Sequence, residues 1–513
     1  MNRSNCWRLL GRLTLPVLAL SSTQCGSSQP HANGVSGATG TSGSENGGGS
    51  DASSGGGNTS SAGATMTVPG APGCGFGDKA AFCETFDAPA QQQGRAGELD
   101  SLKWSGARQS PQAPTGGGLA IAVIAGDIPS CRSGLPAKAF PDQDTLICDP
   151  NPAIKSNHLL TACASQNYGQ NSYRIRQPFD FSGRAGKVVF DAEGFNQQLL
   201  GWVSVEISED PTPGPSFALG TPGTANDEGS VVPRNAVEIQ FEQPCGGQGS
   251  PPAVGVGNII TIANYQQTEH APSDPVCMTT QQGSLNHFEV NVSQNRVEVY
   301  GTNASTDGSS FDAPTLMYAS DVQLPFTRGY VSITTHNHAT RKYSANNALT
   351  DWVARWDNVG FDGPVLSYRE YEIPDSLVAT TAPFSNNEPV TDIAYLVADA
   401  AGAPKDTLHF KGVNLDGMSK ARLALSTWFL PSMTNAQYVL NYRLNGGTWR
   451  DRPLTTDEAA LLSDTRIQGA MAMMIDLTIT DLVSGDNTLE FTSQNIPQNY
   501  PPAVSNIDLV LSN

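Results

Sequence analysis

Val237, Ile239 and Phe241 alternate with Glu238, Gln240 and Glu242. A period of two is the period of an extended strand, so the three apolar side chains face a core and the three polar ones share the opposite face. The pattern recurs where Val203, Val205 and Ile207 alternate with Trp202, Ser204 and Glu206. It recurs again in Phe288, Val290 and Val292, which reach a turn at Ser293-Gln294-Asn295 and return through Val297 and Val299 as a hairpin. Gly and Pro number 52 and 35, charged residues make up only 15%, and helix-period runs are scarce. The chain is therefore expected to be all-β, with short strands and many turns.

At 513 residues the chain exceeds one ordinary core, so more than one domain is expected. Arg3, Arg8 and Arg12 precede the apolar run Leu13 to Leu20. That run is too brief to span a bilayer and fits a signal peptide over residues 1–25, which implies export. Residues 26–70 are nearly all small or polar and have too little apolar surface to offset the entropy of ordering, so they read as a flexible tether. A net charge of −19 repels phosphate backbones and anionic lipid, which argues against nucleic acid as a partner.

An exported chain meets an oxidising compartment, where cysteines pair. Beyond the signal segment and Cys25 there are seven: Cys74, Cys83, Cys131, Cys148, Cys163, Cys245 and Cys277. Local pairing would join Cys74 to Cys83, Cys131 to Cys148 and Cys245 to Cys277, leaving Cys163 over. No tight C-x-x-C pair favours a metal site.

Order is expected from about residue 71. Strands are read at Phe82–Phe86, Tyr173–Arg176, Lys187–Ala192, Gly329–Thr335 and Arg355–Phe361, giving a first β-sandwich over 71–365. A second, smaller one covers 366–513, with strands at Leu408–Val413, Ala421–Leu425 and Tyr438–Leu444, the last turning at Asn445-Gly446-Gly447. Thr455 and Glu458 have capping-box spacing, which predicts a short helix over Thr456–Leu462.

Several stretches resemble known families. Val237 to Glu242 resembles the E-x-D-x-E signature of family 16 glycoside hydrolases, members of the concanavalin A-like lectin and glucanase superfamily of jelly-roll sandwiches. The Phe82–Asp87 opening and the Trp356-Asp357-Asn358-Val359 closing strand also look like that superfamily. Ser484 to Phe491 resembles a segment of galactose-binding-like jelly rolls. Cys25-Gly26-Ser27 resembles a lipoprotein attachment site, which implies a lipid anchor at Cys25 and an outer-membrane or cell-surface location; the alternative is plain secretion.

The family resemblance implies a retaining glycosidase, with Glu238 as nucleophile and Glu242 as acid/base. Four residues along a strand separate Cα atoms by about 13 Å, so the side chains must lean together to reach the roughly 5 to 5.5 Å a retaining pair needs. Gln240 stands where that signature has Asp and cannot share a proton. Binding of an extracellular or cell-wall polysaccharide without cleavage is therefore the leading expectation. Hydrolysis is the rival, and a structural surface protein without glycan the third class.

Trp202, Glu206, Gln240, Arg174, Arg176, His336 and His338 are candidate sugar contacts, with Trp202 and Glu206 on a polar face of the kind that carries Glu238. Arg174, Arg176, Gln240, His336 and Tyr343 also supply residue types used by jelly-roll alginate lyases, but not in their spacings. His336 and His338 read either as a sugar-contacting pair or as ordinary loop residues. Trp104 and Trp352 could stack on sugars, whereas Trp356 reads as core. No cofactor is expected; Asp307-Gly308 and Asp362-Gly363 are turn signals that could also hold structural calcium.

Overall fold

The computed structural model describes residues 73–87, 99–109, 119–125, 132–133, 146–147, 158–164, 169–193, 203–211, 232–242, 253–281, 284–305, 311–337, 348–349, 354–373, 394–396, 407–428, 439–462, 470–494 and 503–513. Ala64–Asn513 is one compact unit. Among the described residues no helix is long and apolar enough to cross a membrane.

The fold is all-β. One antiparallel sheet runs Thr315–Asp321, Arg296–Gly301, Asn286–Ser293, Gly186–Glu193, Ala354–Asp362, His158–Ala164 and Leu119–Ala125, with Ala80–Glu84 added alongside Ala354–Asp362. The other runs Gln266–His270, Ala253–Ala263, Ala236–Glu242, Val203–Ser208, Arg328–Asn337, Gly169–Ile175 and Trp104–Gln109. The predicted inward sets form the core between them: Val203, Val205, Ile207, Val237, Ile239 and Phe241 meet Val188 and Phe190 of the facing sheet. Phe190 stands edge-on to Phe241 at 5.4 Å between centroids.

Trp356 and Trp104 are both fully enclosed. The Trp356 indole donates to Thr161 Oγ1 at 2.9 Å, and Trp104 packs on Phe82 and Phe86. Trp104 is thus core and not a stacking platform, because Phe82 and Phe86 occupy the space beside it. Cys74 and Cys83 are disulfide-bonded. A Cβ on Gly360 would lie 2.8 Å from the Phe82 carbonyl and 2.9 Å from Cys74 Cβ. The bridge therefore seats directly on the Ala354–Asp362 strand. Cys277 is also disulfide-bonded; Cys25, Cys131, Cys148 and Cys245 lie outside the described residues, as does the side chain of Cys163.

The C-terminal part is a smaller sandwich. One sheet runs Tyr368–Glu372, Ala503–Ser512, Lys420–Trp428 and Ala470–Leu477, and the other Thr407–Val413, Gly485–Gln494, Val439–Leu444 and Arg450–Pro453. Asn445 and Gly446 both take positive φ, 51° and 66°, as the expected hairpin turn requires. The helix spans Thr456–Leu462. Its capping box is formed: Glu458 N–H donates to Thr455 Oγ1 at 3.2 Å and Thr455 N–H to Glu458 Oε2 at 2.8 Å.

The second sandwich does not close on itself. Val232, Ala236, Ile260, Ile262 and Tyr265, all from the first, belong to the same apolar cluster as Leu423, Leu425, Met471 and Met473 of the second. Residues on the outer face of the Glu238 sheet are therefore part of the second core.

Candidate functional site

Register places the polar residues of that outer face in rungs. One rung runs Ile260, Glu238, Glu206, Ser332, Arg174 and Ser105 across five neighbouring strand pairs. The next runs Asn258, Gln240, Ser204, Thr334 and Ser172. The alternation thus sends each side chain to the face the sequence assigned it.

Exposure does not follow. The acidic row was expected to meet solvent, but Glu238 is 0%, Glu206 1% and Gln240 3% exposed, and only Glu242 is half-buried. Burial pushes the Glu238 carboxyl up to about 8, against hydrogen bonds with Ser204 and Gln240 that favour its ionised form; the Glu242 charge adds to the rise. Gln240 Nε2 donates to Glu238 Oε1 at 3.4 Å. Burial also raises Glu242. At neutral pH Glu238 is thus mainly a neutral acid, suited to giving a proton and unsuited to attacking a carbon.

Glu242 is placed by a bulge. Gln240 pairs Asn258 and Phe241 pairs Val256, so Gly257 is the extra residue. A Cβ there would lie 2.5 Å from the Glu242 carboxyl carbon. Glycine is what lets that carboxylate lie over the neighbouring strand.

Arg174 and Arg176 are corrections. Expected as sugar contacts, both are buried and committed to the second sandwich. Arg174 donates to both Glu370 oxygens, at 2.6 and 3.0 Å, and to Asp508 at 3.4 Å. Arg176 donates to the Glu370 carbonyl at 2.7 Å, to Glu372 at 3.2 Å and to the Trp104 carbonyl at 3.1 Å. Ser105 donates to Asp508 at 3.1 Å. Burial alone would raise Glu370, but the two guanidiniums hold it well below the usual carboxylate range. A charge this enclosed is stable only when paired, so the arginines are seats and not open ligand groups.

Trp202, His338, Tyr343, Trp352 and Asp307 lie outside the described residues. His336 pairs Gln170 in the strand register, and its side chain is likewise outside them. Asp362 accepts from Arg184 at 2.6 and 3.1 Å and from the Lys187 amide at 2.9 Å, so its oxygens are engaged without a cation. Among the described residues no cluster of three or more His, Cys, Asp or Glu is placed to hold a metal.

A second titratable cluster lies on the outer face of the other sheet. His287 Nδ1 meets Asp191 Oδ1 at 2.6 Å and Asn358 donates to Asp191 Oδ2 at 2.7 Å. Burial opposes the charged imidazole, but Asp191 and Glu289 outweigh it and raise His287 to about 9. Burial and the Asp191 charge push Asp357 to about 8. Sequence reading passed over this cluster and over Glu370 and Asp508. The available signal for Asp508 was a carboxylate inside the apolar run Ile507-Asp508-Leu509-Val510.

No protein-family model matches the chain, and no curated protein does. Among solved structures, a Bacillus licheniformis β-glucanase matches at 12% identity over 55% of this chain and 98% of its own, with a TM-score of 0.27. Peanut lectin matches at 10% identity over 52% of this chain and 99% of its own, with a TM-score of 0.27. The exoplasmic/lumenal domain of VIP36 matches at 9% identity over 42% and 81%, with a TM-score of 0.25. Scores this low add nothing to what the strand order itself gives.

Proposed function

We propose that the protein binds an extracellular or cell-wall polysaccharide and does not cut it. The observation that supports non-cleavage is the state of Glu238: enclosed, held protonated to about pH 8, and flanked by Gln240 where a second charge would tune it. A retaining mechanism needs an ionised nucleophile beside a protonated acid. Gln240, Ser204, Thr334 and Ser172 beside Glu238 are buried and bonded within the protein, so this face holds no reactive pair open to a sugar chain.

Hydrolysis is the second reading, favoured by one fact: Glu242 is half-buried and electrostatically linked to Glu238. In that case the expected roles are exchanged, with Glu238 as acid and Glu242 as nucleophile. Reducing-sugar release from a β-glucan and xylan panel, beside pull-down on the same insoluble polysaccharides, separates the readings. Retention on the matrix without release supports binding. Release that Glu242→Gln abolishes would replace it with hydrolysis, and neither signal would leave a structural protein.

In the same reading the chain is exported and held at the surface through lipid on Cys25. Its support is the Arg3-to-Leu20 leader pattern and a chain that carries disulfides. Metabolic labelling with palmitate, lost in Cys25→Ser, tests it.

A further inference from the structure

At the seam of the two sandwiches, beside the ends of the covered strands, lies a cavity of about 530 Å³. Asp210, Arg234 and Tyr265 come to it from the first sandwich; Arg422, Tyr442 and residues between Asp451 and Glu458 come from the second. Its volume falls within the roughly 300 to 1,000 Å³ typical of ligand sites. A second cavity, of about 820 Å³, shares Arg422 and Asp476 with it, so the two adjoin along the seam.

We propose that this seam cavity, and not the acidic sheet row, is the binding site for a neutral oligosaccharide; the assignment rests on the carbohydrate-binding reading above. Three arginines line the cavity against five carboxylates, leaving a formal excess of two negative charges. An anionic sugar is thereby disfavoured. Two of the guanidiniums are already neutralised and fixed. Arg422 bridges Asp210 at 3.0 Å and Asp476 at 2.6 Å, and Arg452 holds both Glu458 oxygens.

The planar groups that remain, Arg234 and Asp457, are exposed at the rim, and among the described residues no side chain bonds either of them. A guanidinium offers paired donors and a carboxylate paired acceptors, which match adjacent hydroxyls of a sugar ring. Burial keeps the Tyr265 phenol protonated and so a donor; its hydroxyl now reaches the Ala472 carbonyl at 3.4 Å. Ala472 and Ile475 supply apolar lining for the C–H faces. Continuity past Arg422 into the larger cavity suits a chain of several units over a monosaccharide.

Titration calorimetry of the full chain with cello-, laminari-, xylo- and manno-hexaose, and with polygalacturonate as the anionic arm, tests this. At least one neutral hexasaccharide should bind. Arg234→Ala should weaken that binding about tenfold, and Asp457→Trp, which plugs the rim, should abolish it, both melting as the wild type does. If wild type binds a neutral sugar and both variants match it, the cavity is overturned while carbohydrate binding stands. Preference for polygalacturonate overturns the ligand class. Failure of every sugar overturns both this site and the reading it rests on.

Discussion

The Arg174 guanidinium and the Glu370 carboxylate form a two-pronged ion pair, at 2.6 and 3.0 Å, that joins the two sandwiches out of contact with solvent. Removing one member leaves the other's charge enclosed. Arg174→Ala should therefore cost on the order of 3 to 5 kcal/mol in urea denaturation, while Arg174→Leu combined with Glu370→Leu should recover much of that loss. Equal losses in the single and double variants would refute the pairing account.

Glu238→Gln replaces a carboxylic acid that is neutral at pH 7 with a neutral amide of the same shape. Stability at pH 4, where folded and unfolded wild type both carry the neutral acid, should change by less than about 1 kcal/mol, and the variant should become the more stable as pH rises toward 9, because the unfolded wild type ionises where the folded one does not. Glycan retention should be unaffected at both. A variant that is less stable at pH 9 would mean that Glu238 is ionised in the native fold.

Gly257→Ala places a methyl where the Glu242 carboxyl now lies. Because the displaced group is the free end of a flexible side chain, this should cost only about 1 kcal/mol, read from the shift in melting temperature. Glu242→Ala should relieve much of the penalty, since it vacates the space. A Gly257→Ala cost that persists in the Glu242→Ala background would point to backbone strain instead.

The pH dependence has a definite sign. Glu238, Asp357 and His287 all bind protons more tightly folded than unfolded, with values near 8, 8 and 9. For the two carboxyls stability falls as pH rises from about 4 to 8, and for His287 as it rises from about 6.5 to 9. Glu370 is shifted the other way, so its contribution is complete above about pH 4.5 and lost in stronger acid. Melting temperature should peak near pH 5 and fall by roughly 5 °C or more by pH 9. A plateau through pH 9 would contradict the raised values.

Much of the strand pattern was legible because a period of two fixes a side chain's face regardless of what lies beyond it. Val237, Ile239 and Phe241 face the core for that reason, and the Thr455–Glu458 cap was legible because it is local. What covers the opposite face was not legible. Arg174 and Arg176 alternate outward like any solvated strand residues, and their partners Glu370 and Asp508 lie more than 190 positions away. Alternation reports a face; it carries no information on whether water or another sheet meets it.

Because Ala236, Ile260 and Ile262 complete the second core, the ribosome delivers the first sandwich with an unfinished wall. Until the last strand, Ala503–Ser512, is synthesised, that wall presents bare aliphatic side chains beside the uncovered Arg174. The wall is covered only when the strand at 503–512 has paired, so each half completes the burial of the other.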